Sequence, residues 1–413
     1  MQQRSVLVLG AAQHQVFTIN AIKGVGCRVV AIDRNPDAPG KAAADVFAPV
    51  DITDVEGAIG IAREHRVHGV VPLSDYGVQT AAEVAAALGL PGNSPEVARN
   101  ATSKARMRRL WEKAGVPSTR FRVVRDLDGA IAATHELGTW PLIFKPADSR
   151  GGGSRGISRV DDASQIRAAL EFAQSFYADK DVVIEEFLDG IEHSLELVVE
   201  PGGKHTVLAI SDKEKTPPPF RVDKSVIYPT VFSGSERERI GQVAIEATRA
   251  LGIEIGAVHV ELCSTASGPR LFELGARFGG GHTPHPIVSF LTGVDEIAAV
   301  TRLLLGEDPG PISPQREAGC VYRFLTPPPG RLESIHGVDE VRRWAGVLDC
   351  GVWVQPGAEI RPVRTGGDRA GYVVTGGHDR ESALELAARA EAAIEFRYVD
   401  AEAVHGRAPS ALL

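Results

Sequence analysis

Apolar positions along this chain fall into two rhythms. Near the start, three short and continuously apolar segments, Ser5 to Gly10 (SVLVLG), Arg28 to Ile32 and Gly69 to Pro72, read as strands buried on both faces. The stretches between and after them, His14 to Val25, Val55 to His65 and about Gly77 to Leu88, space their apolar residues as helices do. That alternation predicts a βαβ succession and a small doubly wound domain over residues 1–95. Asp33 closes the second strand, as acids do in nucleotide-binding sheets, but Gly10 is followed by AAQHQ where a dinucleotide fingerprint needs two further glycines. The pattern argues against NAD. Ser74 and Asp75, just past a strand end, read as capping and turn residues in preference to substrate contacts.

The middle of the chain changes character. A helix is expected from near Thr102 to Gly115, with Lys104 in its first turn, where the positive end of the helix dipole disfavours a cation. A bound phosphate would explain that placement; a solvated lysine is the equal alternative. A strand, Pro141 to Phe144, then delivers Lys145 into the loop DSRGGGSRG. Consecutive glycines let backbone amides converge on an anion beside the lysine charge, and a flexible surface hairpin is the blander option. Next, strand Val182 to Ile184 leads to Glu185, Glu186, Phe187 and Leu188, a turn at Asp189 and Gly190, then Glu192 and a second strand, Ser194 to Val199. An acid followed by apolar backbone suits an adenine slot with Glu192 beside the ribose, and an acidic hairpin turn suits the same residues. Ser211 to Thr230 is proline-rich and too irregular for a regular element, so a lid is expected there. Its Lys213, Arg221 and Lys224 are candidates for recognising carboxylates, or are solvated cations.

Two further strands, Ala257 to Leu262 and Pro269 to Leu274, flank a small-residue turn, and each places one acid in an apolar run, Glu261 and Glu273. Paired across the turn, the two carboxylates share a face and call for a cation between them. Oxygen ligands of this kind suit Mg²⁺, with Mn²⁺ as a substitute. Arg277 follows, placed to stabilise charge on a transferring phosphoryl or acyl oxygen, and then come Gly279, Gly280 and Gly281 with His282 and His285. An ordinary hairpin with exposed acids is the alternative. Beyond residue 310 the runs Cys320 to Leu325, GVWVQPGAEI and GYVVTGG read as strands, and Arg380 to Ile394 as an amphipathic helix.

Composition narrows the class of partner. With 413 residues, 43% hydrophobic and 24% charged, the chain supports two or three globular domains. A net charge of −8 argues against nucleic acid, and no apolar run reaches the length of a membrane span. The start runs into a strand without a signal-peptide pattern, so a cytoplasmic protein is expected, with its four scattered cysteines as buried free thiols.

Taken in order, Lys104, the strand lysine with its glycine loop, EEFLDGIE and the ELC…FELGAR pair resemble the ATP-grasp superfamily of carboxylate-amine ligases, and most of all its L-amino-acid ligase branch. The resemblance implies an α/β and α+β architecture. It has a doubly wound N-terminal domain (1–95), a two-subdomain ATP-grasp core (96–310, with a nucleotide-covering part at about 118–190) and a C-terminal mixed α+β region (311–413). It further implies that ATP is bound by Lys104, Lys145, Ser149, Gly152 and Gly153, with Glu185, Glu186, Phe187 and Leu188 at adenine and Glu192 at ribose. Glu261 and Glu273 would carry Mg²⁺, Lys145 and Arg277 would be catalytic, and Lys213, Arg221, Arg277, Gly280 and His282 would meet substrate. Gly275 departs from the pattern, because many members carry an asparagine there as a further metal ligand. The implied reaction is amide formation through an acyl phosphate from small-molecule carboxylate and amine substrates, with a homodimer plausible. A purine-type or carbamoyl-type ligase and a non-catalytic ATP sensor are the alternatives.

Overall fold

The computed structural model describes residues 3–148 and 154–399. At the N-terminus, strands Val46–Ala48, Arg28–Ile32, Ser5–Leu9 and Gly69–Pro72 lie side by side in that order, all parallel. Ser5–Leu9 is buried along its whole length because helices cover both faces of a parallel sheet. The expected doubly wound arrangement is therefore present. Where a pyrophosphate loop would open, Gln15 folds back over Gly10: its Oε1 accepts from Ala12 N at 2.8 Å and its Nε2 donates to Leu73 O at 3.2 Å. Asp33 is spent on the same loop, accepting from Ala11 N at 2.9 Å.

A second sheet is antiparallel, in the order Phe121–Val124, Val182–Glu186, Leu142–Pro146, Ser158–Val160. Helices Leu127–Leu137 and Ile166–Gln174 close its core through Ala130, Ala133, Leu137, Ile166 and Leu170. Nine strands among the described residues form the central sheet. Its order is Gly268–Gly275, Gly256–Thr265, Gly190–Glu200, Asp212–Lys215, Asp223–Tyr228, Gly319–Leu325, Gly371–Gly377, Val347–Val352, with Lys204–Ile210 pairing beside Gly190–Glu200. The last three strands in this order come from the C-terminal region and continue the sheet without a break. A small third layer, Glu359–Ile360, Gly330–His336 and Glu395–Tyr398, completes the C-terminal region.

The central sheet's two faces differ, and the difference places the site. Leu195, Leu197, Val199, Val258, Val260 and Leu262 alternate onto one face and pack against helix Gly234–Leu251 through Ile240, Val243, Ala244 and Ala247. The residues between them, Glu192, Ser194, Glu196, His259 and Glu261, point the other way. Helix Lys104–Ala114 docks on helix Gly234–Leu251 by Trp111, fully buried, whose Nε1 donates to the Ala247 carbonyl at 3.1 Å.

One expectation is overturned here. Residues 211–230 are not an irregular lid: Asp212–Lys215 and Asp223–Tyr228 form an antiparallel hairpin inside the central sheet. The mixed charge that suggested solvent comes from strand alternation. Lys213, Lys215 and Asp223 point inward and neutralise one another, and only residues 216–222, which hold Pro217, Pro218 and Pro219, form the connecting loop. No helix among the described residues is long and apolar enough to cross a membrane.

Since Trp111 anchors the helix that carries Lys104, Trp111→Ala should lower stability by about 3–5 kcal/mol. Urea denaturation followed by fluorescence of the remaining tryptophans checks this, as a fall in the midpoint.

Candidate active site

The site begins with the hairpin of Gly256–Thr265 and Gly268–Gly275, in which Glu261 and Glu273 are direct cross-strand partners. Immediately beyond that pair the register slips, so that Leu262 faces Leu271 and Phe272 is left over. A bulge of this kind frees a backbone carbonyl, and here two cations take it: Arg108 Nη2 donates to Phe272 O, and Lys145 Nζ approaches it at 3.5 Å. The two glutamates are each matched by a lysine. Lys104 Nζ lies 2.9 Å from Glu273 Oε1, and Lys213 Nζ bonds Glu261 Oε1. Burial pushes the Glu261 carboxyl up, but Lys213 outweighs it and holds the group well below the usual carboxylate range.

Both carboxylates keep part of their surface open, at 22% each. Two adjacent, accessible carboxylates supply the hard oxygen donors that Mg²⁺ takes from proteins, and they fit that ion. No group of three His, Cys, Asp or Glu residues stands ready for a metal among the described residues.

Behind the hairpin lies a buried triad of charges. Glu185, 3% exposed, receives Lys145 at 2.5 Å, Arg108 at 2.7 Å and the Thr119 hydroxyl at 3.0 Å. Burial lowers Lys145 from 10.5 to about 8, although Glu185 pulls it upward. Burial likewise penalises the Glu185 carboxylate, but Lys145 and Arg108 hold it ionised far below its ordinary value. Arg108 was not singled out from the sequence, yet a signal existed: it stands four residues after Lys104, hence on the same helix face.

The hinge residues are packed with arginines. Glu186 is paired with Arg120 at 3.0 Å and Arg270 at 2.9 Å, and two guanidinium groups approach the Phe187 ring, Arg159 at 4.7 Å and Arg221 at 5.1 Å. The Leu188 carbonyl accepts from Cys263 Sγ at 3.8 Å. Glu192 is held by Arg221 at 2.6 Å and Lys215 at 2.9 Å. Arg221 and Lys213 are thus both engaged with carboxylates of the protein. Ser149, Gly152 and Gly153 lie outside the described residues.

Asp75 corrects a second expectation. It opens helix Asp75–Leu88, and the N-cap position before it, Ser74, makes no side-chain cap bond. Instead Asp75 takes Arg277 in a two-pronged pair, Nε to Oδ1 at 2.9 Å and Nη2 to Oδ2 at 2.7 Å. The N-terminal domain therefore fixes the arginine. Gly275 allows the approach, since a Cβ there would lie 2.8 Å from Asp75 Oδ1 and 3.3 Å from Arg277 Cζ. Gly280 faces open space among the described residues, with no non-neighbouring atom of theirs within 4 Å of where a Cβ would stand. His282 Nε2 bonds Asp349 at 2.8 Å, and His285 stacks on Phe17 at 4.3 Å.

The ATP-grasp domain model matches residues 139–285, and the model of the L-amino acid ligase C-terminal domain 2 matches residues 323–399. Residues 139–285 are thus an ATP-grasp domain. Among its relatives, a D-alanine–D-alanine ligase of Cupriavidus pinatubonensis is 32% identical over 50% of this chain and 64% of that one. Carnosine synthase 1 of Mus musculus is 25% identical over 83% of this chain and 46% of that one. The chain thus spans less than two thirds of either relative. The crystal structure of L-amino acid ligase from Bacillus licheniformis superposes with a TM-score of 0.82 at 24% identity, covering 97% of this chain and 100% of that one, a likeness of fold.

Lys145 carries a pH prediction. Its folded-state value, about 8, lies below the ordinary 10.5, so the free protein loses this cation as pH rises through about 8 while the unfolded chain still keeps it. ATP affinity measured by fluorescence titration should therefore fall above pH 8, approaching about tenfold per unit. Lys145→Met should bind weakly throughout and show no such inflection.

Proposed function

We propose that this chain is an ATP-dependent ligase that joins the carboxylate of an amino acid to an amine and releases ADP and phosphate. The observation that carries the reading is the direct pairing of Glu261 with Glu273, with Lys104 at the second acid and the Lys145 and Arg108 cations at the adjoining bulge. In this reading Lys145 and Lys104 neutralise ATP phosphates, and the Glu185 to Leu188 strand end lies along the adenine with Glu192 near the ribose. Glu261 and Glu273 hold Mg²⁺, which supplies charge neutralisation for the triphosphate when bound. The substrate carboxylate oxygen attacks the γ-phosphorus, and ADP leaves with the electron pair of the broken P–O bond. The amine nitrogen then forms the C–N bond, the C–O bond to the phosphoryl group breaks, and the proton lost by nitrogen leaves on phosphate. Arg277, held by Asp75, meets the acyl phosphate and stabilises negative charge as it builds. Such chemistry needs placement and charge from the protein and no covalent nucleophile.

The relatives support the amide-forming class: two of them are named for joining amino acids or making carnosine. The expected outcome is release of ADP that depends on an amino acid and an amine together, followed in a coupled assay over amino-acid pairs. AMP with pyrophosphate would contradict the reading, and ADP release with bicarbonate alone would move the protein to the carboxylating ligases. Arg277→Ala should cut turnover by about a hundredfold or more while ATP binding persists.

A further inference from the structure

The polar face of the central sheet does not stop at the nucleotide side. Glu192 stands opposite Cys263 on one neighbour and Lys213 on the other; Lys213 stands opposite Val226, Val226 opposite Tyr322, and Phe324 opposite Tyr372. Because side chains alternate with period two, Glu261, Lys213, Tyr322, Phe324 and Tyr372 all project from one face. Contacts run along it as well. Lys213 bonds Glu261 and lies 3.6 Å from Asp223; Arg369 is 4.0 Å from Asp223, and its guanidinium sits 3.6 Å over the Phe324 ring. The glycine run after Arg277 touches the same cluster, since a Cβ on Gly281 would lie 2.7 Å from the Tyr322 hydroxyl.

Arg369 differs from the other cations here. Its side chain is 11% exposed, its Nε is buried with no hydrogen-bond partner among the described residues, and its ion pair with Asp223 is long. Arg277, Arg221 and Lys213 are by contrast closely matched to Asp75, Glu192 and Glu261. A buried guanidinium with unspent donors carries a desolvation cost that a bidentate carboxylate relieves. Asp349 offers the opposite charge. One of its oxygens accepts from His282 Nε2 at 2.8 Å and Tyr372 Oη at 2.9 Å, the other from Cys350 N at 2.8 Å, and the side chain is 36% exposed. A carboxylate has about four acceptor positions, so Asp349 keeps one. Trp353, 47% exposed, lies with its ring 5.3 Å from Tyr372 and 6.4 Å from Phe324.

We infer that Arg369 and Asp349, with the rings of Phe324, Tyr372 and Trp353, form the subsite for the amine substrate, an α-amino acid with an apolar side chain. Its carboxylate lies on Arg369, its amino group beside Asp349 and His282, and its side chain against the rings. The inference rests on the ligase reading above and names the amine that reading left open. It also gives the C-terminal region a part in substrate choice. Opposite charges flanking an aromatic wall select a zwitterion and discriminate against a simple amine, which would leave Arg369 unmatched.

The test uses the full chain with ATP, Mg²⁺ and a donor amino acid, and compares two acceptors. Leucine carries the carboxylate that Arg369 would bind; hydroxylamine carries none and traps the acyl phosphate as a hydroxamate. In Arg369→Gln the ratio of leucine-dependent to hydroxylamine-dependent ADP release should fall by about tenfold or more. Arg369→Lys, which keeps the charge over Phe324 and guards against loss through misfolding, should recover part of it. Trp353→Ala should raise KM for leucine more than for glycine. An unchanged ratio in Arg369→Gln overturns the subsite and leaves the ligase reading standing. A wild-type protein that forms no hydroxamate with any amino-acid donor overturns the ligase reading, and the subsite with it.

Discussion

Two carboxylates on neighbouring strands cannot share a face without cations, and the arrangement around Glu261 and Glu273 follows from that constraint. Lys213 reaches the first from the inserted hairpin, and Lys104 reaches the second from a helix start. Each lysine is in turn buried, which is tolerable only because the charges alternate in sign across the sheet. Lys213 and Lys215 share Asp223, Lys215 and Arg221 share Glu192, and Lys145 and Arg108 share Glu185. A buried lattice of this kind is worth little as a source of net stability, but removing one member strands its neighbour. It therefore holds positions.

Geometry gives each layer of the molecule a distinct share in the site. The bulge at Phe272 turns a carbonyl toward Arg108 and Lys145, so that the antiparallel sheet carrying Lys145 and Glu185 is tied to the central sheet by charge as well as by chain. The doubly wound domain contributes through Asp75, whose grip on Arg277 crosses from the first domain to the loop after Glu273. The C-terminal strands extend the same polar face to Asp349 and Arg369. Three regions distant in sequence thus converge because one sheet runs through two of them and a single arginine reaches the third.

Much of this is legible in the sequence. Strand and helix succession in the first hundred residues, the Glu261–Glu273 hairpin and the strand that delivers Lys145 are local patterns, and local patterns survive folding. What was missed is long-range. Asp75 looked like a cap because its partner lies 202 residues away. The residues 211–230 looked like a lid because buried ion pairs mimic the composition of a solvated loop, and only the facing strands reveal that Lys213 and Lys215 point inward. Arg108 was within reach of helix spacing from Lys104. Asp349 and Arg369 sit in a region whose strands were expected, but nothing nearby in sequence marks them as facing the same surface as Glu261.

The central claim is that Glu261 and Glu273 act together as an acidic pair that couples Mg²⁺ to ATP. Calorimetric titration of ATP into the protein with and without Mg²⁺ tests it most directly, repeated on the Glu261→Gln, Glu273→Gln double variant. The account predicts that Mg²⁺ strengthens ATP binding by about tenfold or more in the wild type and has little effect in the variant. ATP binding that is indifferent to Mg²⁺ in the wild type, or equally dependent on it in both proteins, would contradict it.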